Sequence, residues 1–416
     1  MTPEVKERIE QIRHGNVPEG YKKTKAGILP ADWTVCTIGD CLERVERPVD
    51  VQADEMYTQI GIRSHGKGLF YKEPVTGASL GNKAVFWIEP DCFVLNIVFA
   101  WEQAIGKTTQ NEVGMIGSHR FPMYRPIDGR VDVDYLITYM LTKRGKDILE
   151  AASPGGAGRN RTLGQDRFLK SKIILPSPEE QRKIAEVITT QDKVIELKEK
   201  LLEEKQQQKK YLMQQLLTGK KRLPGFDGEW THVRANQIFK NVTDKKHDGT
   251  LEVLSATQDR GIIPRSQVDI DIKYAEESLT GYKKVVKGNF VISLRSFQGG
   301  IEYSEYTGIV SPAYTVLTSI YPIEDNYYKQ FFKSADYINR LNIAVYGIRD
   351  GKQISYDDFG RIKIPYPPLD EQKAIATVLA TADKEIEILK QTIEQEKQKK
   401  KALMQLLLTG IVRVSV

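Results

Sequence analysis

Apolar residues recur at alternating intervals of four and three through two long stretches of the chain. In the later stretch the positions are Ile375, Leu379, Ala382, Ile386, Leu389, Ile393, Glu396, Lys400, Leu403 and Leu407, and eight of these ten are apolar. That is the period of a coiled-coil seam. The earlier stretch reads Ile184, Ile188, Gln191, Ile195, Lys198, Leu202, Lys205, Lys209, Leu212 and Leu216, with six of ten apolar. A second stripe of Val187, Val194 and Leu201 runs beside it. Neither stretch holds a proline or glycine for roughly 40 residues, which predicts two continuous helices of ~60 Å. Pro178 and Pro368 stand at their starts, where a missing N–H costs nothing, and acidic residues follow in the first turn. Gly219 and Gly410 stand past their ends as C-cap glycines.

The two stretches are copies of each other. From 172 to 219 and from 363 to 410 the chain matches itself at an offset of 191 without a gap, with 24 of 48 positions identical. The match continues faintly upstream, where Arg161, Leu163 and Phe168 face Lys352, Ile354 and Phe359. Lys221-Arg222-Leu223-Pro224 and Trp230 resemble Lys25, Leu29-Pro30 and Trp33, and Phe93-Val94-Leu95 resembles Phe290-Val291-Ile292. The plan is block, helix, block, helix, with expected bounds 1–177, 178–219, 220–366 and 367–416.

The blocks read as mixed α/β (α+β). Short β-rich runs between Gly, Asp and Asn turns predict strands at Val85–Ile88, Phe93–Leu95, Val285-Val286, Phe290–Leu294 and Tyr314–Leu317. Helices are expected at Val133–Thr142 and Tyr327–Asn342. Over most of their length the blocks are not recognisably similar. Two related helices that each expose an apolar stripe most simply pair with each other. An antiparallel pair would place the blocks at opposite ends of a rod. Packing of each stripe on its own block, or pairing between molecules, remains open. The polar seam residues Lys205, Lys209, Glu396 and Lys400 suit a layer that sets register.

Composition narrows the class. The chain has 416 residues, 40% hydrophobic and 28% charged, enough to bury cores in two or three domains. The longest apolar run, Cys92 to Trp101, is about half of the ~20 residues a membrane-spanning helix needs. Met1–Lys6 shows no apolar signal segment, and three cysteines cannot staple a chain of this length, so a reducing, cytoplasmic compartment is expected. A net charge of +6 permits a polyanionic partner without requiring one. Catalytic signatures are scarce. Gly106-Lys107-Thr108 ends like a P-loop, but the earlier glycine position holds Trp101. The five histidines are scattered, and no Cys or His pair has metal-ligand spacing.

Pro176-Ser177-Pro178-Glu179-Glu180-Gln181 with Ile184-Ala185, its copy Pro367-Pro368-Leu369-Asp370-Glu371-Gln372 with Ile375-Ala376, the long helices and the Leu-Met-Gln-x-Leu-Leu-Thr-Gly ends together carry a resemblance. The chain resembles the specificity subunit of type I restriction–modification enzymes along its whole length. The resemblance implies that the blocks are target-recognition domains for double-stranded DNA. It implies that the helices are spacers docking two modification (methyltransferase) subunits, and that two restriction subunits can join. It also implies no catalysis and no cofactor in this chain: S-adenosylmethionine, ATP and Mg belong to the partners. The bottom-up alternative is a coiled-coil scaffold whose blocks bind proteins.

Base readout needs Arg or Lys for guanine and Asn or Gln for adenine, on loops that can reach a groove. In the first block the candidates are Arg63, His65, Lys67, Asn96, Gln103, Lys107, Arg159, Asn160 and Arg161. In the second they are Gln258, Arg260, Arg265, Arg295, Gln298, Arg349, Lys352 and Gln353. Arg161 and Lys352 occupy matched positions of the repeat.

Overall fold

The computed structural model describes residues 2–25, 27–81, 83–155, 161–268, 276–344 and 354–415. Two compact units emerge, Met1–Leu197 with Ile393–Val416, and Lys198–Thr392. Each holds one block, the part of one long helix that adjoins it and the complementary part of the other. The unit boundary therefore falls inside the helices rather than at the block ends.

The two blocks share a topology that their sequences conceal. In the first, a four-stranded antiparallel sheet has the order Ile105–Lys107, Phe93–Leu95, Met123–Pro126, Leu42–Val45. In the second, the order Glu302–Tyr303, Phe290–Ile292, Thr315–Ser319, Phe239–Val242 repeats it strand for strand. The hairpin Ile60–Ile62 with Leu69–Tyr71 has its counterpart in Leu254–Thr257 with Gly261–Pro264. At the foot of each block, a strand just before the long helix pairs with one near the block's start: Lys172–Leu175 with Thr34–Thr37, and Lys363–Tyr366 with Thr231–Arg234. The runs predicted as strands lie on these sheets or on the pairs Val85–Trp87 with Ile116–Ser118 and Lys283–Val285 with Gly308–Val310, their ends shifted by one or two residues.

The helix expected at 133–142 forms as Val133–Met140, two residues short of its expected end, whereas the helix expected at 327–342 is broken in two. Val133–Met140 and Lys143–Ala152 flank Thr142, whose hydroxyl accepts from the Gly145 N–H. Asp325–Phe331 and Ala335–Ala344 flank Ser334, whose hydroxyl accepts from the Tyr337 N–H at 3.2 Å. A Ser or Thr that caps three residues ahead starts a new helix, and this outweighs a continuous apolar period. Gly145 is obligatory, because a Cβ there would sit 2.3 Å from Met140 Cα.

The long helices are Pro178–Leu216 and Leu369–Leu407, each 39 residues. Gly219 and Gly410 follow them in the left-handed region, both at φ +71°. Within each unit the helix segments run antiparallel. In the first unit Gln191 Nε2 donates to Glu396 Oε2 at 2.8 Å, Lys400 pairs with Asp192 at 2.5 Å, and Ile184 and Ile188 share a core with Leu407 and Leu408. In the second unit Lys205 pairs with Glu385 at 2.8 Å, Lys209 with Asp383 at 2.5 Å, and Ile375 and Leu379 share a core with Leu216 and Leu217. The pairs Lys400–Asp192 and Lys209–Asp383 are the same contact displaced by 191. Every seam position is buried or half-buried, including Ile195, Leu202, Leu212, Ile386, Leu389, Ile393 and Leu403. The packing alternatives combine: the first turns of each helix sink into its own block, and the rest of the stripe faces the other helix.

The Glu-Gln pair that opens each helix anchors it. Gln181 is fully buried, donating to the carbonyls of Arg130 and Pro176 at 3.0 Å each and accepting from the Asp132 N–H at 2.9 Å. Gln372 repeats this with Pro367 O at 2.8 Å and the Glu324 N–H at 2.9 Å. Glu180 is also buried and accepts from Trp33 Nε1 at 3.1 Å and from Arg413 Nε at 2.6 Å and Nη2 at 2.8 Å. Glu371 accepts from Trp230 Nε1 at 2.8 Å and from Arg222 Nε at 2.6 Å and Nη2 at 2.7 Å. Each arginine also lies over its tryptophan ring, at 6.0 and 5.2 Å. Hydrogen bonds to Glu180, then to Asp32, raise the pKa of Arg413, and that to Glu371 raises Arg222. Arg413 in turn lowers Asp32.

Two stability outcomes follow from this geometry. Leu389→Asp is expected to cost several kcal/mol, because it places an unpaired carboxylate on the seam, whereas Lys390→Asp on the exposed face is expected to stay within ~0.5 kcal/mol. Equal melting of the two variants would exclude this seam. Arg222→Ala is expected to destabilise by about 3 kcal/mol by stranding the Glu371 carboxylate, and the double variant Arg222→Ala/Glu371→Leu to recover part of that loss. Chemical denaturation of the three proteins measures both effects.

Candidate nucleic-acid interface

In the first block the hairpin turn carrying Arg63, His65 and Lys67 is tied to the loop that follows the strand Phe93–Leu95. The His65 N–H donates to Glu102 O at 2.7 Å and the Gly66 N–H to Gln103 O at 2.9 Å. Ser64 Oγ donates to the Glu102 carboxylate at 2.9 Å. His65 and Gln103 both sit in the left-handed region, at φ 61° and 57°. Two strained residues on segments joined by two successive backbone bonds, both donated by the hairpin turn, make a preorganised loop pair. Gln103 Nε2 donates to Met140 O at 2.9 Å, which fastens the pair to the helix Val133–Met140. The Arg63 guanidinium lies 5.0 Å over the Phe70 ring and donates to Leu69 O at 2.7 Å. Arg161 lies 5.4 Å over Trp101, whose indole N–H donates to Val98 O at 3.1 Å. Arg63, His65, Lys67, Gln103 and Arg161 therefore belong to one loop cluster.

The other first-block candidates are placed differently. Asn96 is buried, and its side chain accepts from the Val98 N–H at 3.0 Å, so it shapes the loop rather than facing a ligand. Lys107 is held by Asp134 at 2.8 Å. Arg159 and Asn160 lie outside the described residues.

The second block builds the equivalent cluster with other residues. The hairpin turn Gln258–Arg260 meets the short helix Ser296–Gly299 that follows the strand Phe290–Ile292. Lys333 Nζ ties them together, donating to Gln258 O at 3.2 Å, Gly299 O at 2.8 Å and Glu302 Oε1 at 2.5 Å. Burial raises the Glu302 carboxyl pKa, and the Lys333 charge opposes that rise only in part. Gly299 lets the elements close, since a Cβ would meet the Gln258 side chain at 2.8 Å. Gln258, Arg260 and Gln298 are exposed on this cluster. Arg260 donates to Gln267 O at 3.1 Å. Arg265 Nε donates to Ser255 Oγ at 3.2 Å, and Arg265 and Arg295 both act on Tyr314, whose pKa burial raises and these charges pull back. Arg349, Lys352 and Gln353 lie outside the described residues.

The sequence candidates are a mixture of exposed residues and residues that shape the loops, such as Asn96 and Gln103, and they omit other residues that hold the clusters. Trp101, Lys333 and the clasp arginine Arg413 carry no motif of their own. Arg413 was detectable, because Arg222 lies 191 residues before it and three residues past the matching glycine. The clusters offer guanidinium forks, amides and an ammonium on fixed loops, the donor set for phosphate and base-edge contact. Among the described residues no group of His, Cys, Asp and Glu could hold a metal ion, and no helix is long and apolar enough to cross a membrane.

Comparison with known proteins places this arrangement. The family model for the type I restriction modification DNA specificity domain matches twice, over residues 30–207 and 228–398. The type I restriction enzyme MjaVIII specificity subunit of Methanocaldococcus jannaschii is 25% identical over 425 residues, covering 95% of this chain and 96% of its own. The crystal structure of the HsdS subunit from Thermoanaerobacter tengcongensis aligns with a TM-score of 0.55 at 19% identity, over 92% of this chain and 98% of that one. A chain from a structure on complex assembly and conformational transition of the type I R-M system aligns with a TM-score of 0.60 at 18% identity, over 92% and 99%. With both copies of the domain matched across most of its length, the chain belongs to the type I restriction modification DNA specificity family.

Proposed function

We infer that this chain is the DNA-specificity subunit of a type I restriction–modification system and that its target is bipartite and asymmetric. One observation carries the reading: two blocks of one topology present different side chains on equivalent loops. The first offers Arg63, Ser64 and His65 on its hairpin turn, and the second offers Gln258, Asp259 and Arg260. Identical loops would specify a repeated half-site, whereas these specify two different ones. Each half-site would be read by Arg or Lys at guanine and Gln at adenine, with Arg161 over Trp101 and Arg265 held by Ser255 as stiffened cations.

The repeated helices suit two copies of one modification subunit, because the same surface recurs at an offset of 191. Methyl transfer from S-adenosylmethionine, and any ATP- and Mg-dependent step, are assigned to partner subunits, and this chain is assigned no chemistry of its own. Its three cysteines are free thiols, which suits the cytoplasm.

The modularity of the two blocks is testable by exchange. Replacing residues 231–350 with the matching block of a relative is expected to change one half-site of the methylated target and leave the other intact, as read by methylome sequencing. Simultaneous change of both half-sites would refute independent reading. Co-expression with the methyltransferase of the same system is expected to yield a complex with about two methyltransferase copies per chain, measured by native mass spectrometry. The isolated chain is expected to transfer no methyl groups to DNA.

A further inference from the structure

The first block carries two thiols in contact at its foot, away from the loop cluster. The strand Thr34–Thr37 runs into a capped turn, Ile38–Asp40, in which the Asp40 N–H donates to the Thr37 hydroxyl and the Thr37 N–H to the Asp40 carboxylate. The Cys41 N–H donates to Ile38 O at 3.0 Å, which folds the chain back and brings residues five apart together. The Sγ atoms of Cys36 and Cys41 lie 3.2 Å apart. Both residues line a recess of about 400 Å³ with Asp40 and Arg130, whose guanidinium donates to Asp40 O at 3.1 Å. Cys36 is half-buried and Cys41 is buried.

The second block makes the same corner without sulfur. Cys36 pairs with Ile173, and Val233 pairs with Ile364, the copy of Ile173 at the offset of 191, so Val233 stands where Cys36 does. Five residues on, Ile238 stands where Cys41 does, and the bond from the Ile38 N–H to Ser171 O recurs from the Ala235 N–H to Ile362 O. An apolar pair therefore suffices to pack this corner, and two touching thiols add a chemistry that packing does not require. Cys92 supplies the contrast. It sits in a different core, and burial pushes its thiol up to about 11, as in an inert structural cysteine.

We propose that Cys36 and Cys41 form a reversible dithiol–disulfide couple that responds to peroxides, with Cys36 meeting the oxidant and Cys41 resolving it. The hydrogen bond from Cys41 holds the Cys36 thiol below its ordinary range, against burial and the Asp40 carboxylate, and the Arg130 charge assists. The same contact, with burial, pushes Cys41 up. A half-buried thiol with thiolate character beside a buried second thiol is the arrangement of a redox-sensing pair. The Cys36 thiolate attacks one oxygen of hydrogen peroxide; the S–O bond forms, the O–O bond breaks, and the leaving oxygen takes a proton and departs as water. The Cys41 sulfur, giving up its proton, then attacks the sulfenic sulfur of Cys36. The S–S bond forms, the S–O bond breaks, and the hydroxide leaves with that proton as a second water. Two electrons and two protons pass from the thiols to one peroxide, and a reducing compartment restores the thiols by exchange.

The test uses the full chain in complex with its co-expressed methyltransferase, titrated with hydrogen peroxide, alkylated and mapped by mass spectrometry. Both cysteines fall in one tryptic peptide, residues 26–44. That peptide is expected to lose the mass of two hydrogens and both alkylation sites, and to regain them with dithiothreitol. Before oxidation, Cys36 is expected to be alkylated at least about tenfold faster than Cys92. In Cys41→Ala the sulfenic acid has no resolving thiol, so capture of Cys36 by dimedone is expected to rise about tenfold over the parent. In Cys36→Val, Cys41 is expected to stay reduced. Both variants are expected to fold, since the second block is apolar at both positions, and melting of each complex checks this; the parent readout stands without them. Persistence of both thiols up to the dose that converts the exposed Met56 to its sulfoxide would overturn the proposal. So would a linkage to Cys92 or to another chain, or oxidation of Cys41 in Cys36→Val.

Discussion

A carboxylate at the foot of a helix must find a cation once it leaves water, and this molecule is organised around two such sites. Glu180 and Glu371 are buried at the helix starts, and each is neutralised by an arginine that lies just past the glycine ending the other helix. An uncompensated buried charge costs several kcal/mol, so the chain beyond each helix end is fixed to the beginning of its counterpart. The tryptophan N–H completes the ring of donors and the guanidinium lies over the indole. Leu-Pro and Trp at the entry of each block, and Glu-Gln at each helix start, are thus parts of one contact rather than separate motifs.

The same contact divides labour within the chain. The repeated segments supply charge neutralisation, buried glutamine anchors and an apolar seam, none of which depends on what the blocks carry. The blocks keep strand order and hairpin placement but vary the loops. Side chains that face inward must preserve the sheet, whereas those on the hairpin turns lie outside that constraint. That separation lets one scaffold carry two different sets of loops, and it accounts for sequence divergence over a common topology.

Fixing the loops is the second physical requirement. In one block, His65 and Gln103 in left-handed conformations are locked by two backbone bonds that the hairpin turn donates to the neighbouring loop. In the other, a single half-buried lysine, Lys333, cross-ties two segments and a carboxylate. Both solutions remove conformational freedom before a ligand arrives, so less entropy is lost on binding. They are chemically unrelated, and this explains why no shared signature marks the clusters.

The repeat, the helices, their glycine ends and the seam were legible in the sequence, because a helix in contact along its length writes its period into the chain. The positions of Ile184, Leu212, Ile375 and Leu407 and the polar layer at Lys209 and Lys400 needed nothing more. The loop candidates were legible only as residue types. Arg63 and Gln103 differ from Asn96 in exposure, and exposure depends on strands distant in sequence. The break at Ser334 was hidden because an apolar period continues across it, and only the capping hydroxyl reveals the new helix. Tertiary structure alone decided that Lys333 serves three acceptors and that Arg413 closes on Glu180. Each of these joins residues separated by tens to hundreds of positions, and local periodicity carries no information about which distant side chains a fold will bring together.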